Sequence, residues 1–211
     1  MIEITPEQLK SKIDRMIVGK TYEQMYPDIN RMNHFSISTL AYSVDKQVDW
    51  KLGHRDSVAP NTLMFFGKAV HEYVQRSFRD TSYVEEGEVR YMLPYKWQFA
   101  PVKDICLLGH MDMISHEERT IIEIKTSIYG KSDSEFSEYY FRQAGMYGKI
   151  LKDKTDVDYK VLIVRINHSV QVVEVTPEQQ SQFSGQLIQR AYEAAQRLDY
   201  AYQGGMFDKK D

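Results

Sequence analysis

The stretch GHMDMISHEERTIIEIKT, residues 109–126, decides how the chain is read. It belongs to two apolar runs, residues 105–114 and 120–126, joined by the polar segment Ser115-His116-Glu117-Glu118-Arg119. Two short apolar runs around a polar connection predict a β-hairpin. Side chains alternate across a strand, so Glu123 and Lys125 share one face while Ile122 and Ile124 take the other. Asp112 stands in the first strand of this expected hairpin. Taken singly, each residue also suits a plain sheet: an aspartate facing water, or a same-face ion pair between Glu123 and Lys125. Taken together, two carboxylates and a lysine on a sheet face can hold a hard divalent cation beside a water molecule. That is the equipment of metal-assisted phosphodiester hydrolysis.

Composition sets outer bounds. At 211 residues the chain is expected to be one domain, with 42% hydrophobic and 27% charged residues as in globular proteins. The net charge of -3 carries no global basic signature, so any nucleic-acid contact has to come from a local patch. Lys68, Arg76, Arg90, Lys131 and Arg142 are the candidates near the hairpin. No apolar run approaches a membrane span and the N-terminus has no signal-like apolar region, so no membrane contact and a cytoplasmic location are expected. A single cysteine, Cys106, excludes an internal disulfide or a cysteine-bound metal cluster within one chain.

Around the hairpin the pattern is largely helical. Thr5-Pro6-Glu7-Gln8 opens a helix over residues 6–18 that ends at Gly19, and residues 20–35 read as irregular. A second helix is expected over residues 38–52, then a polar loop at 53–60. Leu63, Phe66, Val70, Tyr73 and Val74 give a third helix to about residue 78, with His71 beside its apolar face. A strand follows at 86–94. Ser132 or Asp133 caps a helix over about 135–151, a second hairpin joins 159–166 to 170–175, and Thr176-Pro177-Glu178-Gln179 opens the last helix. The order predicts an α/β or α+β fold with a central mixed sheet flanked by helices.

Four short motifs stand in order: Gly67-Lys68-Ala69-Val70-His71, Gly109-His110-Met111-Asp112, Glu123-Ile124-Lys125-Thr126, and Gln143-Ala144-Gly145-Met146-Tyr147. The set resembles the PD-(D/E)XK nuclease superfamily, in particular its RecB-like branch, and is similar to CRISPR-associated adaptation nucleases and archaeal viral nucleases. The resemblance covers residues 67–147. It implies a restriction-endonuclease-like core and one nuclease domain over 1–211, with a helical part at 1–60, a catalytic core at 61–175 and a C-terminal helix at 177–203. It implies a metal-dependent deoxyribonuclease using Mg²⁺ or Mn²⁺, with Asp112, Glu123 and Lys125 catalytic. His71, Asp112, Glu123 and the Ile124 carbonyl would be ligands, and a nitrogen ligand would favour Mn²⁺. Lys125 would assist the attacking water, with cation proximity and burial both lowering its pKa. Thr126, Gln143 and Tyr147 would support the site or touch nucleic acid; Ser127 is a weaker candidate. Glu72 and Glu88 are further carboxylates, more readily explained as solvated. His110 and His116 have no second ligand at zinc spacing.

One feature departs from many RecB-like relatives, which carry four cysteines around an iron–sulfur cluster. With Cys106 alone, no iron–sulfur cluster is expected, and residues 36–52 have to be held by packing. The expected partner is DNA, with single-stranded, duplex and branched forms all open, and a homo-oligomer is compatible with the resemblance. Were the chain virus-encoded, its place would be the host cytoplasm. Two other readings remain beside the nuclease: a dimeric Holliday-junction-resolvase-like endonuclease, and a catalytically weak nucleic-acid-binding protein that keeps the fold. A structural ion network of Asp112, Glu123 and Lys125 is the plainest alternative.

Overall fold

The isoleucine-rich run at residues 120–126 is apolar on both faces at its start, and it forms the interior of a sheet covered on both sides. The computed structural model describes residues 32–54, 62–78, 81–84, 87–126, 136–167 and 169–205, with the backbone alone at 62–66. Among these residues the order is β1 (His34–Ser36), α1 (Ile37–Tyr42), α2 (Val44–Lys51), α3 (Thr62–Ser77), β2 (Glu88–Leu93), β3 (Ile105–His110), β4 (Met113–Ser115), β5 (Thr120–Thr126), α4 (Glu138–Thr155), β6 (Lys160–Ile166), β7 (Val170–Val175) and α5 (Pro177–Gln203). The helix expected at residues 6–18 and most of the loop at 53–60 lie outside the described residues.

Two sheets replace the single central sheet that was expected. One has the order β1-β3-β2, the other β4-β5-β6-β7. Both are mixed: β3 runs parallel to β1 and antiparallel to β2, while β5 runs antiparallel to β4 and parallel to β6. The fold is α+β, mixed sheets flanked by helices, consistent with a restriction-endonuclease-like core.

The apolar run at 105–114 is therefore not one arm of a hairpin. β3 already has β1 on one side and β2 on the other, so no edge is left for β5. The chain leaves β3 at His110, crosses through buried Met111 and half-buried Asp112, and enters the second sheet as the short strand β4. Only Met113–Ser115 pairs with residues 120–122 of β5. Asp112 thus sits at the junction between sheets rather than within a strand.

The helix expected over 38–52 is divided in two. Ser43 has extended backbone, ends α1 and caps α2 by accepting from the Lys46 N–H at 3.3 Å. One serine side chain satisfies the orphan donor of the second helix while its own N–H bonds Thr39 O. The segment expected to be irregular before it contains β1, paired in parallel with β3. α4 begins and ends later than the periodicity suggested, closing on Asp156 in the left-handed region with φ 56°. The reading of α5 holds: Thr176 and Gln179 form a capping box with Pro177 in the first turn.

Packing follows strand alternation. Met113, Ile122 and Ile124 meet Val74 and Phe78 of α3 on one face. Ile121 and Ile163 join Ala144, Met146, Tyr147 and Ile150 of α4, and Leu187 and Ala191 of α5, on the other. Each large aliphatic side chain buried here contributes about 1.5–3 kcal/mol. Two glycines permit the close approaches. A Cβ on Gly109 would lie 2.8 Å from the Tyr147 ring and 2.9 Å from Ile37, and one on Gly67 would lie 2.9 Å from Thr126 Oγ1.

Far from β5, buried Asp199 of α5 accepts the backbone N–H groups of Gln98, Phe99 and Ala100 at 2.7, 3.0 and 3.1 Å. This carboxylate pins the 94–104 connection to the last helix. Asp199→Ala leaves three backbone donors, that of Ala100 fully buried, without this acceptor, at a cost of about 3 kcal/mol. Thermal unfolding of that variant is expected to shift down by about 6–12 °C, and a shift under about 2 °C would show that the connection is held by other means.

Candidate metal and phosphodiester site

Glu123 and Lys125 point to the α4 side of β5, so the face read as open in the sequence is roofed by a helix. The Glu123 side chain is 1% exposed and that of Lys125 15%. Burying a carboxylate is costly unless its oxygens find donors. Lys125 Nζ donates to Glu123 Oε1 at 2.6 Å, and Gln143 Nε2 donates to the same oxygen at 2.7 Å. The Gln143 side chain also turns its Oε1 to Lys125 Nζ at 3.0 Å, while its Nε2 lies 3.2 Å from Tyr147 Oη. One amide therefore bridges acid, base and phenol. The four-residue spacing of Gln143 and Tyr147 on α4 puts both on the face turned to β5.

Asp112 closes the site from the junction. Its Oδ2 accepts the Ile124 N–H at 2.7 Å, continuing the β4–β5 pairing with a side chain where the strand has ended. Its Oδ1 lies 3.2 Å from His71 Nδ1, and its backbone carbonyl accepts from Gln75 Nε2 at 2.9 Å. His71 and Gln75 are one turn apart on α3, with Gly67 a turn earlier where the helix crosses Thr126.

The electrostatics follow from burial. Desolvation, then repulsion from Asp112, lift the Glu123 carboxyl from 4.5 to about 8, against the pull of Lys125. Burial pushes the Lys125 ammonium down, but the Glu123 and Asp112 carboxylates outweigh it and leave its pKa above the usual lysine value. The lowered lysine pKa expected from the sequence is thus reversed in the metal-free chain, because two carboxylates face the amine. Lys125 is a standing positive charge at neutral pH.

All the main candidates come together: His71, Asp112, Glu123, Ile124, Lys125, Gln143 and Tyr147. Ile124 enters through its N–H to Asp112. Tyr147 is fully buried and Thr126 stands under α3. Ser127 and Lys131 lie outside the described residues. The expected basic patch is less open than its count suggested. Arg76 pairs with Glu72, Arg90 with Glu88, and Arg142 with Glu138 and the Ala41 carbonyl. Glu72 and Glu88 are accordingly spent on surface pairs. His116 Nδ1 lies 2.8 Å from Tyr159 Oη, away from any second ligand. Two neighbours went unnoticed in the sequence. Tyr140 places its ring 5.7 Å from Lys125 Nζ, and Gln75 holds the Asp112 carbonyl. Their helical offsets from Gln143 and His71 were the available signal.

The donor set suits a hard divalent cation that keeps part of its water. Glu123 Oε2 is buried without a hydrogen-bond partner, and a cation would satisfy it while relieving the repulsion between Glu123 and Asp112. Among the described residues no three of His, Cys, Asp and Glu converge as a metal-holding group. Two carboxylates with water and backbone oxygens match Mg²⁺ or Mn²⁺ rather than a dedicated protein cage.

No family model matches the chain, and no curated protein matches it in sequence. Several solved structures share its fold, two among them as follows. The protein SSO0001 is 18% identical, with a TM-score of 0.58 over 91% of this chain and 87% of that one. A protein from Eubacterium rectale described as a "putative exonuclease" is 13% identical, with a TM-score of 0.58 over 89% and 88% of the two chains. At these identities the likeness is one of fold alone. Among the described residues no helix is long and apolar enough to cross a membrane.

The raised Glu123 carboxyl has a thermodynamic signature. Between its ordinary value of 4.5 and about 8, the folded metal-free protein holds a proton that the unfolded chain has released. Stability therefore falls as pH rises through that window and levels off above it. In EDTA, the melting temperature is expected to drop by several degrees from about pH 5 to about pH 9, and much less in Glu123→Gln. An equal drop in both proteins would remove Glu123 as its source.

Proposed function

We propose that the chain is a metal-dependent deoxyribonuclease that hydrolyses DNA phosphodiester bonds at the Asp112, Glu123 and Lys125 cluster. The observation that carries this reading is the Glu123 carboxylate: buried, bonded on one oxygen by Lys125 and Gln143, and left on the other without a partner beside Asp112. A purely structural ion pair would have no reason to leave that oxygen bare. The ordered motifs at residues 67–147 and the fold shared with a nuclease-named neighbour support the same reading. One nuclease domain built on β3–β6 and α3–α4 accommodates all of these residues.

Asp112 and Glu123 would hold Mg²⁺ or Mn²⁺, with His71 and the Ile124 carbonyl at its margin. The cation, when bound, polarises the phosphoryl oxygen and lowers the pKa of a bound water. The remaining work belongs to the chain. Gln143 fixes the rotamers of Glu123 and Lys125 at once, and Tyr147 fixes Gln143 from behind. Lys125, held protonated, sets a positive charge where a phosphodiester brings a negative one. It orients the attacking water by donation, and the proton that water loses passes to solvent. Asp112 is aligned by Ile124 N–H and His71, so its carboxylate needs little rearrangement on binding.

The test uses labelled single-stranded, duplex and four-way-junction DNA, in linear and circular forms, with Mg²⁺, Mn²⁺ or EDTA. Cutting is expected only with metal, and a loss of about 100-fold or more in Glu123→Gln and Lys125→Met, both checked for native circular dichroism. Cleavage that survives both substitutions would sink the site assignment. Cleavage confined to four-way junctions by a dimer would redirect it to a junction resolvase.

A further inference from the structure

We propose that Gln75 is a positioning residue that sets the Asp112 carboxylate, and through it the cation-holding geometry of the site; this rests on the nuclease reading above. The need arises from the topology. Asp112 lies between β3 of one sheet and β4 of the other. The regular pairing of β4 with β5 begins only at Met113 opposite Ile122. At this crossover the Asp112 carbonyl takes its partner from a side chain, Gln75 Nε2 at 2.9 Å. A backbone carbonyl in a half-buried crossover is expensive to leave without a donor.

Three separate hydrogen bonds then fix one residue. Gln75 holds the backbone carbonyl, His71 approaches Oδ1, and Ile124 N–H donates to Oδ2. Two of the three come from α3, from positions four residues apart on the face that also carries Gly67. Gly67 brings the helix down onto Thr126, which makes the reach of the short Gln75 side chain sufficient. The neighbouring Glu72 and Arg76 point outward and pair with each other. Gln75 is therefore the residue through which α3 grips the main chain of the site. Without it the Asp112 peptide can rotate, and its carboxylate swings away from both Ile124 and the position beside Glu123.

A merely structural glutamine would change stability and nothing else. The test compares Gln75→Met, which keeps length and loses the donor, with Gln75→Lys, which keeps a donor. Tyr73→Ser, at an exposed position of the same helix, is the surface control. Two readouts are taken on the full chain: amide hydrogen exchange at Ile124 in EDTA, and Mn²⁺ binding by calorimetry. In Gln75→Met, exchange at Ile124 is expected to quicken about tenfold relative to Ile122, and Mn²⁺ to bind about tenfold more weakly, corresponding to about 1.4 kcal/mol. Gln75→Lys recovers most of the Ile124 protection, while its added positive charge opposes Mn²⁺ by repulsion, and Tyr73→Ser matches the wild type. Unchanged Ile124 exchange in Gln75→Met overturns the proposal, whatever happens to melting temperature. A wild type that neither binds Mn²⁺ nor cuts DNA overturns the nuclease reading instead, while the amide readout, taken without metal, still decides the role of Gln75.

Discussion

The rest of the site depends on the cost of hiding one carboxylate. Glu123 lies under α4 in the interior of the protein, where water cannot solvate it. Its surroundings answer that cost only in part. Lys125 and Gln143 converge on Oε1, and nothing reaches Oε2. The proton affinity of Glu123 rises accordingly. Holding such an acid inside strains the site. The strain is local, because α4 and β5 are otherwise packed through Ile121, Ala144, Met146 and Tyr147.

Sheet topology then determines which side chains can meet that acid. β5 supplies two of them on one face, since Glu123 and Lys125 are two residues apart. The helix that connects β5 to its parallel neighbour β6 supplies Gln143 and Tyr147 from above. Asp112 comes from a third direction, the crossover between sheets, and α3 steadies it. β5, α4, the crossover and α3 together bring these groups within hydrogen-bonding reach. Gly67 and Gly109 matter here as absences of side chain: one lets α3 settle on Thr126, the other leaves room for the Tyr147 ring.

Much of this was legible in the sequence because its signals are local. The four motifs are short and ordered, and the capping box at Thr176 and the apolar spacing along α3 are read within a few residues. Three things were not legible. Ser43 serves as the end of one helix and the cap of the next, and periodicity alone runs through it. The apolar run at 105–114 looks continuous, yet it feeds two sheets, because strand partners are chosen by the whole fold. The face carrying Glu123 looked open, since alternation tells which residues share a face and not what covers it. The inverted expectation for Lys125 follows from that last point: its pKa depends on which carboxylates the fold brings to it.

The path of the chain through β5, α4 and β6 carries a consequence for assembly. Parallel strands cannot be joined by a tight turn, so β5 and β6 are joined through a crossover that carries α4 over the sheet. Glu123 lies under that crossing and is enclosed by it. In a chain whose helix has not yet docked, the same carboxylate stands in water and loses its proton at ordinary acidity. Enclosure of the helix thus captures a proton from solvent as it seals the centre. Folding of this region is coupled to proton uptake, and the state of one buried acid records whether the crossover has closed.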